Sequence, residues 1–221
     1  MIQRNIDSWR REDEELLECG SVAGMNFSAA MIASVLERNA EETEKRCFAL
    51  ASRGAVFRNE GTAEWPDGTV SAAFAFAHSL YHEVLYEQVP PGRRANLHRQ
   101  IGRWLEQASG SAAATKASLL AFHFDAGRDY ERAVSYLYAA AQGALHKNAH
   151  REAASHLRRA LELIEKLPRT PEREFREFTV LSLLAPTLIT IEGFSAPDAD
   201  RHFKRARELG RNLGNRADLY P

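Results

Sequence analysis

Hydrophobic positions recur with helical spacing along most of this chain and switch to period two only once. Leu16, Leu17 and Cys19 stand in a charged segment from Trp9 to Cys19 that stops near Gly20, which predicts a first helix with one buried edge. Ser28 then caps a second helix over Ala29 to Glu37, with Met31, Ile32, Val35 and Leu36 on its inward face. Asn39, followed three residues later by Glu42, opens a third, whose apolar edge is Cys47, Leu50 and Ala51 and which Gly54 stops. Three short helices are therefore expected before any strand. Period two begins at Val56-Phe57-Arg58, passes a loop closed by Pro66-Asp67-Gly68, and returns with Val70, Ala72, Phe74 and Phe76 alternating. That pattern predicts a β-hairpin.

Pro90-Pro91-Gly92 breaks the next helix and opens another, with Leu97, Ile101, Trp104 and Leu105 inward and Arg93, Arg94, Arg99 and Arg103 outward. Ser109-Gly110-Ser111 marks a boundary, beyond which all is helical. One stripe runs through Ala117, Leu120, Ala121 and Phe124. The next, after Gly127-Arg128-Asp129, takes Tyr130, Ala133, Val134, Leu137, Ala140, Ala141 and Ala144. Ala153, Ala154, Leu157, Ala160, Leu161 and Ile164 repeat the scheme. Phe175, Phe178, Leu181, Leu184 and Leu188 line a helix that Pro186 is expected to kink, and Ser195 caps a last one with Ala199, Phe203, Ala206 and Leu209. The expectation is a mainly α protein: a winged-helix unit with a β-hairpin wing over residues 1–108, then an α-solenoid of tetratricopeptide-like helical hairpins over residues 109–221.

Composition narrows the partners. Among 221 residues, 29 basic against 30 acidic side chains give a net charge of -1, so nothing global draws the chain to nucleic acid or to an anionic membrane. Only two cysteines, Cys19 and Cys47, are present, both in apolar helical patterns, which fits buried thiols in a reducing compartment. The amino terminus has no apolar leader and no stretch is long enough to span a bilayer; a soluble, cytoplasmic protein is expected.

The run from Phe76 to Tyr86, Phe-Ala-His-Ser-Leu-Tyr-His-Glu-Val-Leu-Tyr, resembles the aromatic-x-His-x-Leu-x-x-Glu-Val-x-Tyr signature of signalling ATPases of the STAND class. Those are large bacterial regulators with an AAA-type ATPase, a winged helix and a tetratricopeptide tail, often fused to a nucleotide cyclase or a LuxR-type DNA-binding domain. Leu16 to Gly24, Pro91 to His98, Ala149 to Ala153 and Gly193 to Pro197 extend the resemblance over nearly the whole chain. The histidine of the signature is similar to that of the Met-His-Asp motif of NOD-like receptors, which contacts the β-phosphate of ADP. The resemblance thus implies a nucleotide-sensing role for His78 beside an ATPase domain. Ser79 stands where those receptors carry Asp. ATP or ADP is implied for the parent protein, whereas this chain has no Gly-x-x-x-x-Gly-Lys-Ser/Thr loop and is expected to bind no cofactor itself and to catalyse nothing. The resemblance places the ATPase before Met1 and continues the repeats past Pro221.

Other chemistry is thinner. A winged helix raises DNA binding as the alternative, with Lys45, Arg46, Arg53 and Arg58 as contacts, against which Glu41, Glu42 and Glu44 share the third helix. Histidine pairs four apart, His78 with His82 and His146 with His150, lack a third ligand and are not assigned to a metal. The solenoid offers a groove for a partner protein or effector, with His123, Tyr130, Tyr136, Tyr138 and His150 as exposed contacts, and the repeats could pair copies into a homo-oligomer. The function expected is regulatory: a winged helix closing on an ATPase domain in cis, and repeats that receive a partner; the alternative is a DNA-binding transcription regulator whose repeats mediate oligomerisation.

Overall fold

A computed structural model describes residues 11–52, 56–193 and 197–214. It is mainly helical, with a small three-stranded antiparallel sheet. The chain divides into two compact units: the described residues up to Ala113 together with Ala126–Arg128, and Ala114–Asp125 together with the described residues from Asp129 onward. The break falls within a 3₁₀ stretch, Gly110–Lys116.

The first unit runs α1 (Arg11–Ala23), β1 (Asn26–Ser28), α2 (Ala29–Val35), α3 (Ala40–Ser52), β2 (Phe57–Glu64), β3 (Val70–Phe76), α4 (Ser79–Gln88) and α5 (Pro91–Ser109). Ser28 caps α2, its Oγ accepting from the Met31 N–H at 3.3 Å. This helix is shorter than expected because Glu37 turns to φ 53° and the Arg38 N–H closes back on the Ala33 carbonyl at 2.8 Å. Asn39 caps α3 through its side-chain oxygen, 3.0 Å from the Glu42 N–H. Gly54, expected to stop that helix, lies outside the described residues.

The strand β1 corrects the expectation that no strand precedes the hairpin. It pairs Asn26 with Ala75, Phe27 with Phe74 and Ser28 with Ala73, so β3 becomes the central strand in the order β1-β3-β2. Central placement also explains why the alternation in β3 fails. Ser71 and Ala75 are buried as well as Ala72, Phe74 and Phe76, while Val70 at the strand's start is 64% exposed. Buried Ser71 keeps its hydrogen bonds, accepting from the Ala30 N–H at 2.9 Å and donating to the Ala72 carbonyl at 3.2 Å. Beneath the sheet Phe27 meets Phe57 edge-on at 4.8 Å, and Phe57 meets Phe76 at 4.9 Å. A Cβ on Gly20 would stand 3.3 Å from the Phe27 ring, so α1 approaches β1 closely there. The hairpin closes with Gly68 at φ 86° and the Asp67 carboxylate accepting from the Thr69 N–H at 2.9 Å.

The second unit contains α6 (Ala117–Ala126), α7 (Tyr130–His146), α8 (His150–Ile164), α9 (Pro171–Glu192) and α10 (Pro197–Gly214). From α7 onward each helix packs chiefly on the next. The turn before α7 and the turn after it are built alike: Arg128 and Asn148 both take positive φ, 59° and 57°, and the following N–H reaches back to Phe124 or Ala144 at 2.9 Å. Ala133, Ala140, Ala141 and Ala144 on α7 and Ala153, Ala154 and Ala160 on α8 are all buried, small side chains that let the two backbones approach. Between α9 and α10 the core is Leu181, Ala206 and Leu209, flanked by Leu161 and Phe178. Helix α9 runs through Pro186. Two expected core residues are instead exposed, Phe175 at 48% and Phe203 at 43%; the cap assigned to Ser195 lies outside the described residues.

Candidate functional site

The run that carried the resemblance splits into packing residues and a free corner. Phe76 and Leu85 are buried. His82 stands edge-on to Phe76 at 5.5 Å and stacks on Tyr86 at 6.1 Å, and the Tyr86 hydroxyl meets His98 Nε2 at 3.0 Å. Arg94 lies 4.7 Å over the Tyr86 ring and donates to the Tyr86 carbonyl at 3.2 Å. A ladder of rings thus joins β3, α4 and α5. His78, Ser79, Leu80 and Glu83 stand outside it, exposed at the start of α4. His78 is the N-cap residue in extended backbone; its imidazole makes no capping hydrogen bond and stacks on Tyr81 at 6.3 Å. Its carbonyl accepts from the Tyr81 N–H at 3.1 Å, so the fold holds the main chain here while the ring stays accessible.

Sequence reasoning passed over His98, which is 1% exposed on α5. Burial, and then the charge of Arg94, push its pKa down to about 4, so the ring is neutral near pH 7. Its place three before Ile101 and seven before Leu105 is the signal that could have found it, since those positions share a helix face.

In the second unit an open cleft of about 230 Å³ lies between α7 and α9, lined by Val134, Ser135, Tyr138, Phe175, Arg176, Thr179 and Val180. Val134 and Val180 are each 2% exposed and form an apolar floor. Tyr138 is half-buried and Phe175 exposed, and Arg176 donates to Ser135 Oγ across the two helices at 3.0 Å. Such a cleft is smaller than the roughly 300–1,000 Å³ of drug-sized pockets. Of the residues expected on the partner surface, it contains only Tyr138.

The rest are placed otherwise. His123 is 1% exposed and belongs to the interior, which corrects its assignment to the surface. Tyr136 stacks on Phe124 at 5.7 Å and Tyr130 packs under the Lys166 ammonium at 4.9 Å, both half-buried. His150 opens α8 half-buried, and His146 ends α7, so a turn divides these two histidines. The cations proposed for DNA each face a carboxylate: Lys45 and Glu41 at 2.5 Å, Arg46 and Asp13 at 3.3 Å, Arg58 and Glu60 at 2.5 Å. Arg53 lies outside the described residues. Cys19 and Cys47 are buried; burial pushes the Cys19 thiol far up and the Cys47 thiol up to about 12. Among the described residues no group of three or more His, Cys, Asp or Glu could hold a metal, and no helix is long and apolar enough to cross a membrane.

No protein family matches the chain, and no solved structure does. An uncharacterized protein of Rhizobium meliloti (strain 1021) is 31% identical over 139 residues, which take in 63% of this chain and 14% of that protein. The matched stretch is thus a small part of a relative that, at this proportion, is roughly a thousand residues long.

Proposed function

We propose that this chain is the winged-helix and tetratricopeptide-like portion of a much larger signalling ATPase of the STAND class, a cytoplasmic regulatory segment without catalysis of its own. The observation that carries the proposal is the element order α1-β1-α2-α3-β2-β3 with strands in the order β1-β3-β2, running straight into the His78 corner. Three helices with a strand after the first, and a hairpin after the third, is an order that supports the winged-helix reading. The like turns at Arg128 and Asn148 and the sequential helix packing support stacked hairpins. A relative of roughly a thousand residues supports a long multidomain parent.

In this reading His78, Leu80 and Glu83 meet a nucleotide-binding domain in cis, and the cleft between α7 and α9 receives an apolar side chain of a partner protein at Tyr138 and Phe175. Binding at either place biases a closed-to-open equilibrium of the parent. DNA recognition is the weaker alternative, because Lys45, Arg46 and Arg58 are already paired with carboxylates.

The test has two arms. The gene around this coding region should carry an upstream phosphate-binding loop, and the nucleotide-binding domain it encodes should release a fluorescent ADP more slowly when this chain is added, an effect that His78→Ala removes. Duplex DNA titrated at about 50 and 200 mM salt should show no binding with a steep salt slope. Tight, salt-dependent binding lost in Lys45→Ala and Arg46→Ala would overturn the proposal in favour of a transcription regulator.

A further inference from the structure

We infer that the face shared by α3 and the hairpin in the first unit is a docking surface for a basic segment of another protein, one that brings a large apolar side chain flanked by lysine or arginine. Two large apolar side chains are left open along this face. Phe48 on α3 is 41% exposed although its ring stands edge-on to the buried ring of Phe74 at 5.3 Å, and Val70 at the start of β3 is 64% exposed.

The pleat puts them on one strip. Val70, Ala72 and Phe74 alternate along β3 and so point to the same side of the sheet, about 13 Å from first to last. The helix α3 runs beside that side: Phe48 meets Phe74, and one turn earlier the Glu44 carboxylate accepts from the Ala72 N–H at 3.0 Å. At the open end Glu64 stands opposite Val70 in the strand register, on the same side and exposed. The strip thus prolongs the core's own face to the surface, with Phe74 as its buried end.

Charge selects the occupant. Among the described residues, α3 and the hairpin carry six carboxylates against three cations. Those cations, Lys45, Arg46 and Arg58, are each tied to a carboxylate already, and Arg46 is turned to Asp13 on α1. Glu44 and Glu64, which border the apolar strip, therefore set a negative field along it. Nucleic acid and anionic bilayers are repelled by that field, and a second copy laid face to face would set the same carboxylates against each other. A cationic segment is attracted instead, while its apolar side chain covers Phe48 and Val70. The strip shares no residue with the His78 corner or the α7–α9 cleft, and its assignment does not rest on the function proposed above.

Fluorescence anisotropy of three labelled peptides of equal length, titrated with the full chain, tests it: one of lysine and leucine, one of glutamate and leucine, one of lysine and serine. The lysine-leucine peptide should bind at least about tenfold more tightly than either of the others. Phe48→Ser and Val70→Ser should each weaken it about tenfold, and Glu64→Lys should weaken it while strengthening the glutamate-leucine peptide. Phe203→Ser, at an exposed ring of the second unit, should change nothing. If Phe48→Ser lowers the helical signal, Val70→Ser decides, since its side chain stands largely in solvent. Equal affinities for the three peptides, or binding of the lysine-leucine peptide that Val70→Ser and Glu64→Lys leave intact, would overturn the inference. Self-association in sedimentation velocity that Val70→Ser abolishes would also overturn it, in favour of a second copy, as would duplex DNA binding lost in the same variant, in favour of nucleic acid.

Discussion

His98 shows how one buried side chain sets a pH dependence. Its folded pKa, about 4, lies below the ordinary 6.5, because burial and then Arg94 disfavour the imidazolium. The stability that the neutral ring contributes is complete above pH 6.5 and is lost as pH falls through about 4, a change on the order of 3 kcal/mol. The urea midpoint should therefore drop between pH 7 and pH 4, and His98→Gln should flatten that fall; an equal fall in both proteins would show that other groups govern acid sensitivity. His98 and His123 share a lesson about reading sequences. Each stands on an inward stripe, three before Ile101 in one case and three after Leu120 in the other, yet a polar letter suggests a surface position. Phe175 misleads in the opposite direction, because the face of α9 that bears it borders an open cleft and not a neighbouring helix. Periodicity reports which residues share a face and is silent on whether that face is covered.

Among the elements, those fixed by local chemistry were legible and the one fixed by distant pairing was not. Ser28, Asn39 and the Asp67-Gly68 turn announce their structures within a few residues, since a cap or a turn answers to its own backbone N–H groups. Nothing local marks β1. Its three residues become a strand because Phe27 faces Phe74, 47 positions away, and the sheet shields both. The rings at the centre should then dominate the unit's stability. Phe74→Ala should cost about 3–5 kcal/mol in urea unfolding, whereas Val70→Ala on the same strand should stay within about 0.5 kcal/mol. Similar costs for the two would mean that β3 is not the central strand. At the paired turns, Asn148→Val should destabilise by about 1–2 kcal/mol, because a β-branched residue is poorly tolerated at positive φ.

For the molecule as a whole, the two units call for different expectations. In the second, contacts run chiefly between consecutive helices, so a defect should stay local. Leu209→Ala, cutting into the core shared with Leu181, should cost about 2–5 kcal/mol there and speed amide exchange in α9 and α10 more than in α7. Uniform acceleration through α7 would mark a single cooperative body. In the first unit, both thiols of the protein are enclosed, Cys19 at 0% exposure and Cys47 alike, and their raised pKa values leave almost no thiolate at pH 8. An alkylating reagent can therefore reach them only during an opening event. Mass added at these two positions would accumulate at the rate at which this half of the polypeptide breathes, whatever happens in the cysteine-free remainder, and the chain thereby carries its own stopwatch for that motion.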